Sequence, residues 1–135
     1  MNLAARVLQI PMTGTNKTVL SIGTIQDLLW LREAVLKDGG CKVFSVTDET
    51  NAKARIYTHR CDVLLLCYSV HDGVRARITK LFREVCPSGR IIAIMDQHLQ
   101  CPPQDADSFL YGVEGPEALI EAVRGTSESS DTSAA

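Results

Sequence analysis

The chain has 135 residues, of which 45% are apolar and 22% charged, proportions that are ordinary for one globular domain. Its net charge of −2 provides no attraction to nucleic acid or to an anionic membrane, so we expect neither as a partner. Residues 1–11 lack the features of a signal peptide, and no apolar run approaches the ~18 residues of a membrane span. The cysteines, at positions 41, 61, 67, 86 and 101, have no Cys-x-x-Cys spacing, which predicts reduced thiols and a cytoplasmic protein.

The first sixteen residues show no sustained periodicity, and we predict that 1–16 is an N-terminal extension. Lys17–Ile22 has the composition of a strand. Thr24, with Asp27 three residues later, resembles a capping box and predicts a helix that runs to about Lys37. The predicted inward residues of this helix are Leu28, Leu31 and Val35, with Leu29 and Leu36 as further candidates.

Lys42–Val46 predicts the second strand. Thr47 or Asp48 can cap a weaker helix that runs to about Thr58. Its predicted inward residues are Ala52, Ile56 and Tyr57.

The centre of the chain is the apolar run Val63–Leu66 within Cys61–Val70. Such a run is too short for a helix and too apolar for a half-exposed strand, so it predicts a central strand of a parallel sheet that is covered on both faces. An amphipathic helix follows, starting near Gly73 and ending at Pro87-Ser88-Gly89, and Asp72 is its expected cap. Its apolar stripe comprises Val74, Ile78, Leu81, Phe82 and Val85.

Arg90–Met95 and Ser108–Tyr111 predict two further strands, separated by a segment that we expect to be mostly loop. Pro116 favours the first position of a last helix, whose predicted buried residues are Leu119, Ile120 and Val123. The Ser/Thr-rich residues 126–135 predict a disordered tail.

This alternation predicts one domain over residues 17–125 with an α/β fold: a (βα)5 doubly wound, parallel five-stranded sheet of flavodoxin-like type. The helix between the fourth and fifth strands is expected to be reduced or missing.

Three segments resemble the receiver domain of bacterial two-component response regulators: Thr18–Ile22 with the later Leu31-Arg32-Glu33-Ala34, then Cys61–Leu66, then Gly115–Val123. They resemble the family's "LREAL", "PDLVLLD" and "PEELLEAV" segments. The resemblance implies a receiver-like fold and a role in phosphorelay signal transduction.

The family's functional residues are replaced. The two acidic residues that hold Mg²⁺ in receivers match Gly23 and Thr24, and the phosphoacceptor aspartate matches Cys67. The switch Ser/Thr matches Met95, and the lysine that ends the fifth strand matches Gly112. Aspartyl phosphorylation needs Mg²⁺ with hard oxygen ligands, which Gly23 and the sulfur of Cys67 do not provide.

The resemblance therefore implies a degenerate receiver (a pseudo-receiver) that is not an enzyme, holds no metal or cofactor, and acts by protein–protein interaction. Its partner would be another signalling protein or a second copy, as a homodimer. We predict Trp30 to be partly exposed and a possible contact residue.

The alternative reading is a flavodoxin-like enzyme, or a ligand- or redox-sensing domain, that uses the strand-end crevice around Cys67. A reactive thiol requires a nearby cation or helix N-terminus, and the matching positions carry no cation, so we expect Cys67 to pack as a small apolar residue. Asp72 and Asp96 could form an acid/base pair in this crevice. Weak phosphoacceptance at Asp62 or Asp72 is a third possibility, although Asp62 precedes its strand and would lie at the wrong end of the sheet.

Other patterns have simpler explanations. Cys61 and Cys67 bracket a strand and lie about 20 Å apart, too far to share a zinc ion, and His59 and His71 are expected at exposed loop or helix ends. Gly23 lacks the further glycines of a nucleotide-binding loop, so a tight turn explains it. Four basic residues, Arg75, Arg77, Lys80 and Arg83, share one helix face, which we expect to be solvated rather than bound to an acidic partner or nucleic acid.

Overall fold

The computed structural model describes residues 17–96 and 105–125. The predicted N-terminal extension and C-terminal tail, and most of the predicted loop between the last two strands, lie outside these residues. The elements in chain order are β1 (Thr18–Ile22), α1 (Gln26–Asp38), β2 (Lys42–Val46), α2 (Glu49–Thr58), β3 (Val63–Cys67), α3 (Asp72–Val85), β4 (Arg90–Met95), β5 (Ser108–Tyr111), a 3₁₀ turn (Gly112–Glu114) and α4 (Pro116–Arg124).

The five strands form one parallel sheet in the order β2-β1-β3-β4-β5. β3 is central and buried along its whole length, as its uninterrupted apolar sequence predicts. The doubly wound fold is confirmed, and Asp96 and residues 105–107, the described part of the β4–β5 connection, contain no helix.

Two apolar layers cover the two faces of the sheet. On one face, α2 and α3 pack Ala52, Ile56, Ile78 and Phe82 against Leu64 and its neighbours. On the other, α1 and α4 pack Leu36, Leu119 and Val123 against Leu65 and Ile94. Because helices cover both faces, functional side chains are accessible chiefly at the ends of the strands and on the outer helix surfaces. No described helix is both long enough and apolar enough to span a membrane.

The predicted inward face of α1 is wrong in part. The buried residues are Leu29, Arg32 and Leu36, whereas Leu31 is 60% exposed and Leu28 and Val35 are half-buried. The helix is therefore rotated about its axis relative to the prediction. The long aliphatic stem of Arg32 lies on the buried face, which we had assigned to leucine and valine side chains.

The predicted cap of α1 is also wrong. The helix begins at Gln26, and the residue before it, Ile25, makes no side-chain cap hydrogen bond. Thr24 lies one residue too early to cap the helix and instead contacts Ser69.

Asp48 caps α2 as predicted, because its Oδ1 accepts a hydrogen bond from the Asn51 amide at 2.8 Å. Ala52 and Ile56 are buried, but Tyr57 is 66% exposed. A helical residue lies about 100° around the axis from its neighbour, so Tyr57 cannot share the inward direction of Ile56.

In α3, Ile78 and Phe82 are buried as predicted, whereas Val85 at the helix end is 38% exposed. The cap position is His71, so Asp72 is the first helical residue rather than the cap. In α4, Pro116 occupies the first turn, and Leu119 and Val123 are buried, while Ile120 is half-buried.

Candidate functional site

The carboxyl ends of neighbouring strands bring four of the five family-matched positions to one edge of the sheet. Ile22, which precedes Gly23, pairs with Leu66 next to Cys67. Cys67 pairs with Ile94, and Met95 pairs with Tyr111, which precedes Gly112. The structure therefore aligns Gly23, Cys67, Met95 and Gly112 in that order across four strands.

Gly23 and Cys67 are packed against each other. A Cβ atom built on Gly23 would lie 2.8 Å from the Cβ of Cys67 and 3.4 Å from its Sγ, and carbon atoms in ordinary contact lie ~3.5–4.0 Å apart. Cys67 is only 4% exposed. The backbone of the first loop thus covers the thiol, and any side chain at position 23 would have to displace it.

Two hydrogen bonds join the loops after β1 and β3. The Thr24 amide donates to Oγ of Ser69 at 2.9 Å, and the Thr24 hydroxyl donates to the Ser69 carbonyl at 3.4 Å. They hold the two loops together beside the Gly23–Cys67 contact. Sequence reasoning did not single out Ser69. Its place in the short loop after the central strand was a signal that its hydroxyl could bond a neighbouring loop.

At the other end of the edge, Met95 is 3% exposed, and Gly112 is exposed at the start of the 3₁₀ turn. The Nη2 atom of Arg32 lies 4.0 Å from where a Cβ on Gly112 would be. A cation therefore approaches position 112 from α1, which sequence reasoning missed because the apolar pattern of α1 assigned the inward face to its leucines.

The three acidic residues considered for acid/base catalysis or phosphoacceptance have different surroundings. Asp62 lies at the opposite end of β3, where its Oδ2 accepts a hydrogen bond from the Thr18 amide at 2.9 Å. Asp72 has a 90% exposed side chain that pairs with Arg75 at 2.9 Å. Asp96 is half-buried beside Met95. Only Asp96 directly follows a strand at this edge, and the structure shows no acid/base pair formed with Asp72.

Three of the four basic residues of α3 are exposed, as expected, and the arginines of this face are also paired with acids. The guanidinium of Arg77 makes two hydrogen bonds to Glu49, at 2.7 and 2.9 Å. The bond from Arg77, with Lys53 adding to it, lowers the pKa of Glu49 to about 2. Arg83 pairs with Asp107 at 3.0 Å, and Arg75 pairs with Asp72, whereas Lys80 is exposed. Arg77 and Arg83 thus join α3 to neighbouring segments, whereas the Arg75–Asp72 pair lies within α3.

The residues considered as zinc ligands have different environments. His59 follows α2 as its C-cap, is half-buried, and packs against Phe44 with ring centroids 4.6 Å apart and the rings tilted by 51°. His71 is exposed. Cys61 is 2% exposed, and burial is the main cause that raises its pKa to about 11. Within residues 17–96 and 105–125, no group of three or more His, Cys, Asp or Glu side chains is placed to hold a metal ion.

No protein-family model matches the chain, and no curated protein matches it. Solved structures do. A CheY-like response regulator receiver domain protein from Methanospirillum hungatei JF-1 has a TM-score of 0.71 at 13% identity, over 87% of this chain and 98% of that chain. A Vibrio cholerae chemotaxis protein, CheY4, has a TM-score of 0.69 at 18% identity, over 81% and 97% of the two chains.

A response regulator from Burkholderia pseudomallei, solved with a phosphorylated aspartic acid, has a TM-score of 0.69 at 15% identity, over 89% of this chain and 74% of that chain. The fold is that of a receiver domain. At these identities the likeness extends to the receiver fold and not to the chemistry of its site.

The residues that match the family's metal ligands and phosphoacceptor do not fit the Mg²⁺ that the receiver resemblance implies. Mg²⁺ requires near-octahedral oxygen ligands, usually including one or two carboxylates. Gly23 provides no ligand and cannot accept a larger side chain without moving Cys67, and a buried thiol is a poor ligand for a hard cation. The hydroxyl of Thr24 is directed to the Ser69 carbonyl.

Proposed function

We propose that this chain is a non-catalytic, receiver-like signalling module that acts in the cytoplasm by binding another signalling protein or a second copy of itself, independently of aspartyl phosphorylation. The observation that carries the proposal is the close approach of Gly23 to Cys67, since a Cβ added to Gly23 would lie 2.8 Å from the Cβ of Cys67. An acidic side chain at position 23, where receivers have a metal ligand, would therefore have to displace Cys67.

The chemistry of phosphoryl transfer supports this reading. The transferred group carries charge on its oxygens that metal ions and cationic side chains must neutralise. Cys67 is not a carboxylate, Met95 has no hydroxyl, and Gly112 has no side-chain cation. A replacement at one position could be compensated, but the replacements at all five remove the acceptor, the metal ligands and the lysine charge that receivers have at these positions.

The test is an amide NMR spectrum of the ¹⁵N-labelled chain, recorded with Mg²⁺ and then with beryllofluoride, which mimics an aspartyl phosphate. An intact-mass measurement after acetyl phosphate treatment accompanies it, with a receiver that retains its aspartate as the positive control for the reagents. We expect no saturable shifts at Gly23, Cys67 or Met95 and no added phosphate. A phosphate adduct would overturn the proposal, and Asp62→Asn and Asp72→Asn would then show which side chain carries it.

The exposed apolar residues of α1 provide a contact surface. Trp30 is 59% exposed and Leu31 is 60% exposed, and Ile25 at the start of the helix is 40% exposed. Tryptophan is among the residues that most often dominate binding energy at interfaces. The exposure of Trp30 agrees with the prediction, and the exposure of Leu31 adds an apolar neighbour that the prediction had assigned to the interior.

A tryptophan substitution tests this surface. We expect Trp30→Ala to weaken the complex, or the self-association seen by sedimentation, by about tenfold or more, as is typical for an anchor residue. Tyr57→Ala is the matched control, because Tyr57 is a 66% exposed aromatic residue on α2. Equal affinities of wild type and Trp30→Ala would exclude Trp30 as an anchor without affecting the phosphorylation test.

The alternative of a redox- or ligand-sensing site at Cys67 has less support. The thiol is 4% exposed and lies against Gly23, whereas sensor cysteines are solvent-accessible.

A further inference from the structure

Arg32 is a charged residue in a position where the fold otherwise places apolar ones. It lies on the buried face of α1 between Leu29 and Leu36, and only 8% of its surface is exposed. Buried charges in proteins are normally paired, because removing an ion from water without a partner has a large free-energy cost. We therefore expect an anionic partner beside this guanidinium.

No such partner is present among the described residues. The Nη1 atom of Arg32 is buried and makes no hydrogen bond within residues 17–96 and 105–125. The six ion pairs formed within these residues do not include Arg32. Its Nη2 atom lies 4.0 Å from where a Cβ on Gly112 would be. The guanidinium thus retains unused donors in a desolvated place.

These donors border a pocket of about 160 Å³ between α1 and α4. Apart from Arg32, the side chains that line it are apolar: Leu28, Leu31, Val35, Ile94, Leu110 and Leu119. An apolar cavity of about 150 Å³ in another protein binds benzene. The pocket has room for one aromatic ring or a branched aliphatic group of similar size.

The start of α4 contributes to the same pocket. Gly115 and Pro116 line it, and the glycine at the cap position has no side chain with which to cap the helix. The N-terminus of a helix carries a partial positive charge. This charge adds to that of Arg32, so the polar part of the pocket favours an anion.

We propose that this pocket binds a small monocarboxylate that carries one aromatic ring or a branched aliphatic group. A planar carboxylate matches the fork of a guanidinium, and the apolar lining accommodates the remainder of the molecule. A single guanidinium balances one negative charge, which favours a monoanion over a phosphate. The proposal does not depend on the proposed signalling role, because the pocket lies between α1 and α4 and needs neither Cys67 nor Gly23.

The test uses benzoate as the probe, with benzamide as a neutral molecule of the same shape. Both are titrated into the ¹⁵N-labelled full chain up to about 10 mM, a range that covers weak millimolar binding. We expect saturable shifts at the amides of Leu31, Gly112 and Gly115, and at least tenfold weaker binding of benzamide, since hydrogen bonds to charged groups contribute more than neutral ones.

Arg32→Met removes the charge and leaves an apolar side chain that keeps the helix packed. In this variant we expect benzoate to bind no more tightly than benzamide. Lys37→Met is the matched control, because it removes one positive charge from the same helix at an outward position, where Lys37 pairs with Glu33, and it should leave benzoate binding unchanged. If Arg32→Met does not fold, Arg32→Lys provides the comparison, and its loss of the bidentate fork should weaken benzoate binding but not benzamide binding.

Any one of four results would overturn the proposal, three of them from the titrations with benzoate and benzamide. They are the absence of saturable shifts with benzoate, equal affinities for benzoate and benzamide, and an unchanged preference for benzoate in the Arg32 variant. Saturable binding of inorganic phosphate at the same amides, in place of benzoate, would also overturn it. None of these outcomes alters the phosphorylation test, which monitors Cys67 and Met95.

Discussion

Gly23 has a steric role at the carboxyl edge of the sheet. A Cβ atom there would lie 2.8 Å from the Cβ of Cys67, an atom attached directly to the backbone of the central strand. Such an atom cannot rotate away as the end of a long side chain can. The loop after β1 can therefore approach β3 this closely only if position 23 has no side chain.

A single methyl group tests this packing. We expect Gly23→Ala to lower the free energy of unfolding by about 1–3 kcal/mol, the usual cost of inserting an atom into a well-packed place. Gly112→Ala is the control, because a Cβ on Gly112 would meet its nearest atom, in Ile94, at 3.8 Å. Urea denaturation measures both. Equal losses for the two variants would show that the Gly23 contact relaxes easily.

Among the elements, α3 forms side-chain hydrogen bonds to two other segments: its neighbour α2, and the end of the β4–β5 connection. Arg77 reaches Glu49 at the start of α2. Arg83 reaches Asp107 just before β5, and Asp107 also accepts a hydrogen bond from the Ile91 amide. Burial opposes the ionisation of Asp107, but these hydrogen bonds outweigh it, and its pKa is lowered. The polar face of α3 thus positions two neighbouring segments.

The Glu49–Arg77 pair predicts a pH dependence. The folded pKa of Glu49 is about 2, below the value of about 4.3 for an unperturbed glutamate. Folding therefore favours the ionised form, so the pair stabilises the protein above pH ~4.3, and this contribution is lost as the pH falls through about 2. We expect Glu49→Gln to destabilise the protein at pH 7 and to have a much smaller effect near pH 2.

Urea denaturation of wild type and variant at several pH values between 7 and 2 measures this difference. Glu84→Gln is a suitable control, because Glu84 is an exposed acid on α3. An effect of Glu49→Gln that does not change with pH would show that packing, and not the charge of Glu49, causes it.

At the scale of the whole molecule, stability is concentrated in the central strand. β3 pairs with β1 and β4 and contributes residues to both apolar layers. Leu65 is 1% exposed, whereas Phe109 on the edge strand β5 is 45% exposed. A residue in the centre of a doubly covered sheet loses more contacts on truncation than one at an edge.

We expect Leu65→Ala to lower the free energy of unfolding by about 2–5 kcal/mol, through lost transfer free energy and the cavity that remains. Phe109→Ala should cost about 1 kcal/mol or less, as is usual for exposed positions. Chemical denaturation distinguishes the two. Similar losses would mean that the edge strand is more tightly packed than its exposure indicates.

The sequence alone determined the class of fold and the bounds of several elements. Arg90–Met95 and Ser108–Tyr111 were predicted with the limits that the structure has, because short apolar runs bounded by polar or turn residues allow few alternatives. The alternation of strands and helices predicted a parallel doubly wound sheet, because right-handed crossovers place the helices on both faces of such a sheet. The positions matched to the receiver site end or follow parallel strands, and the structure shows that four of them lie at one edge of the sheet. Their role as an emptied phosphorylation site stays a prediction.

Only the tertiary structure decided which face of α1 is buried. At ~100° per residue, Leu28, Leu29, Leu31 and Leu36 spread over about 160° of the helix circumference. This arc is wider than the face that is buried, so their pattern permits more than one rotation. Contacts with β2, β1 and α4 select the rotation that buries Arg32 and exposes Leu31. The contact of Gly23 with Cys67 and the bonds between Thr24 and Ser69 likewise join residues that are more than forty positions apart. Periodicity reports how a residue relates to its near neighbours along the chain, whereas such contacts depend on how whole elements dock.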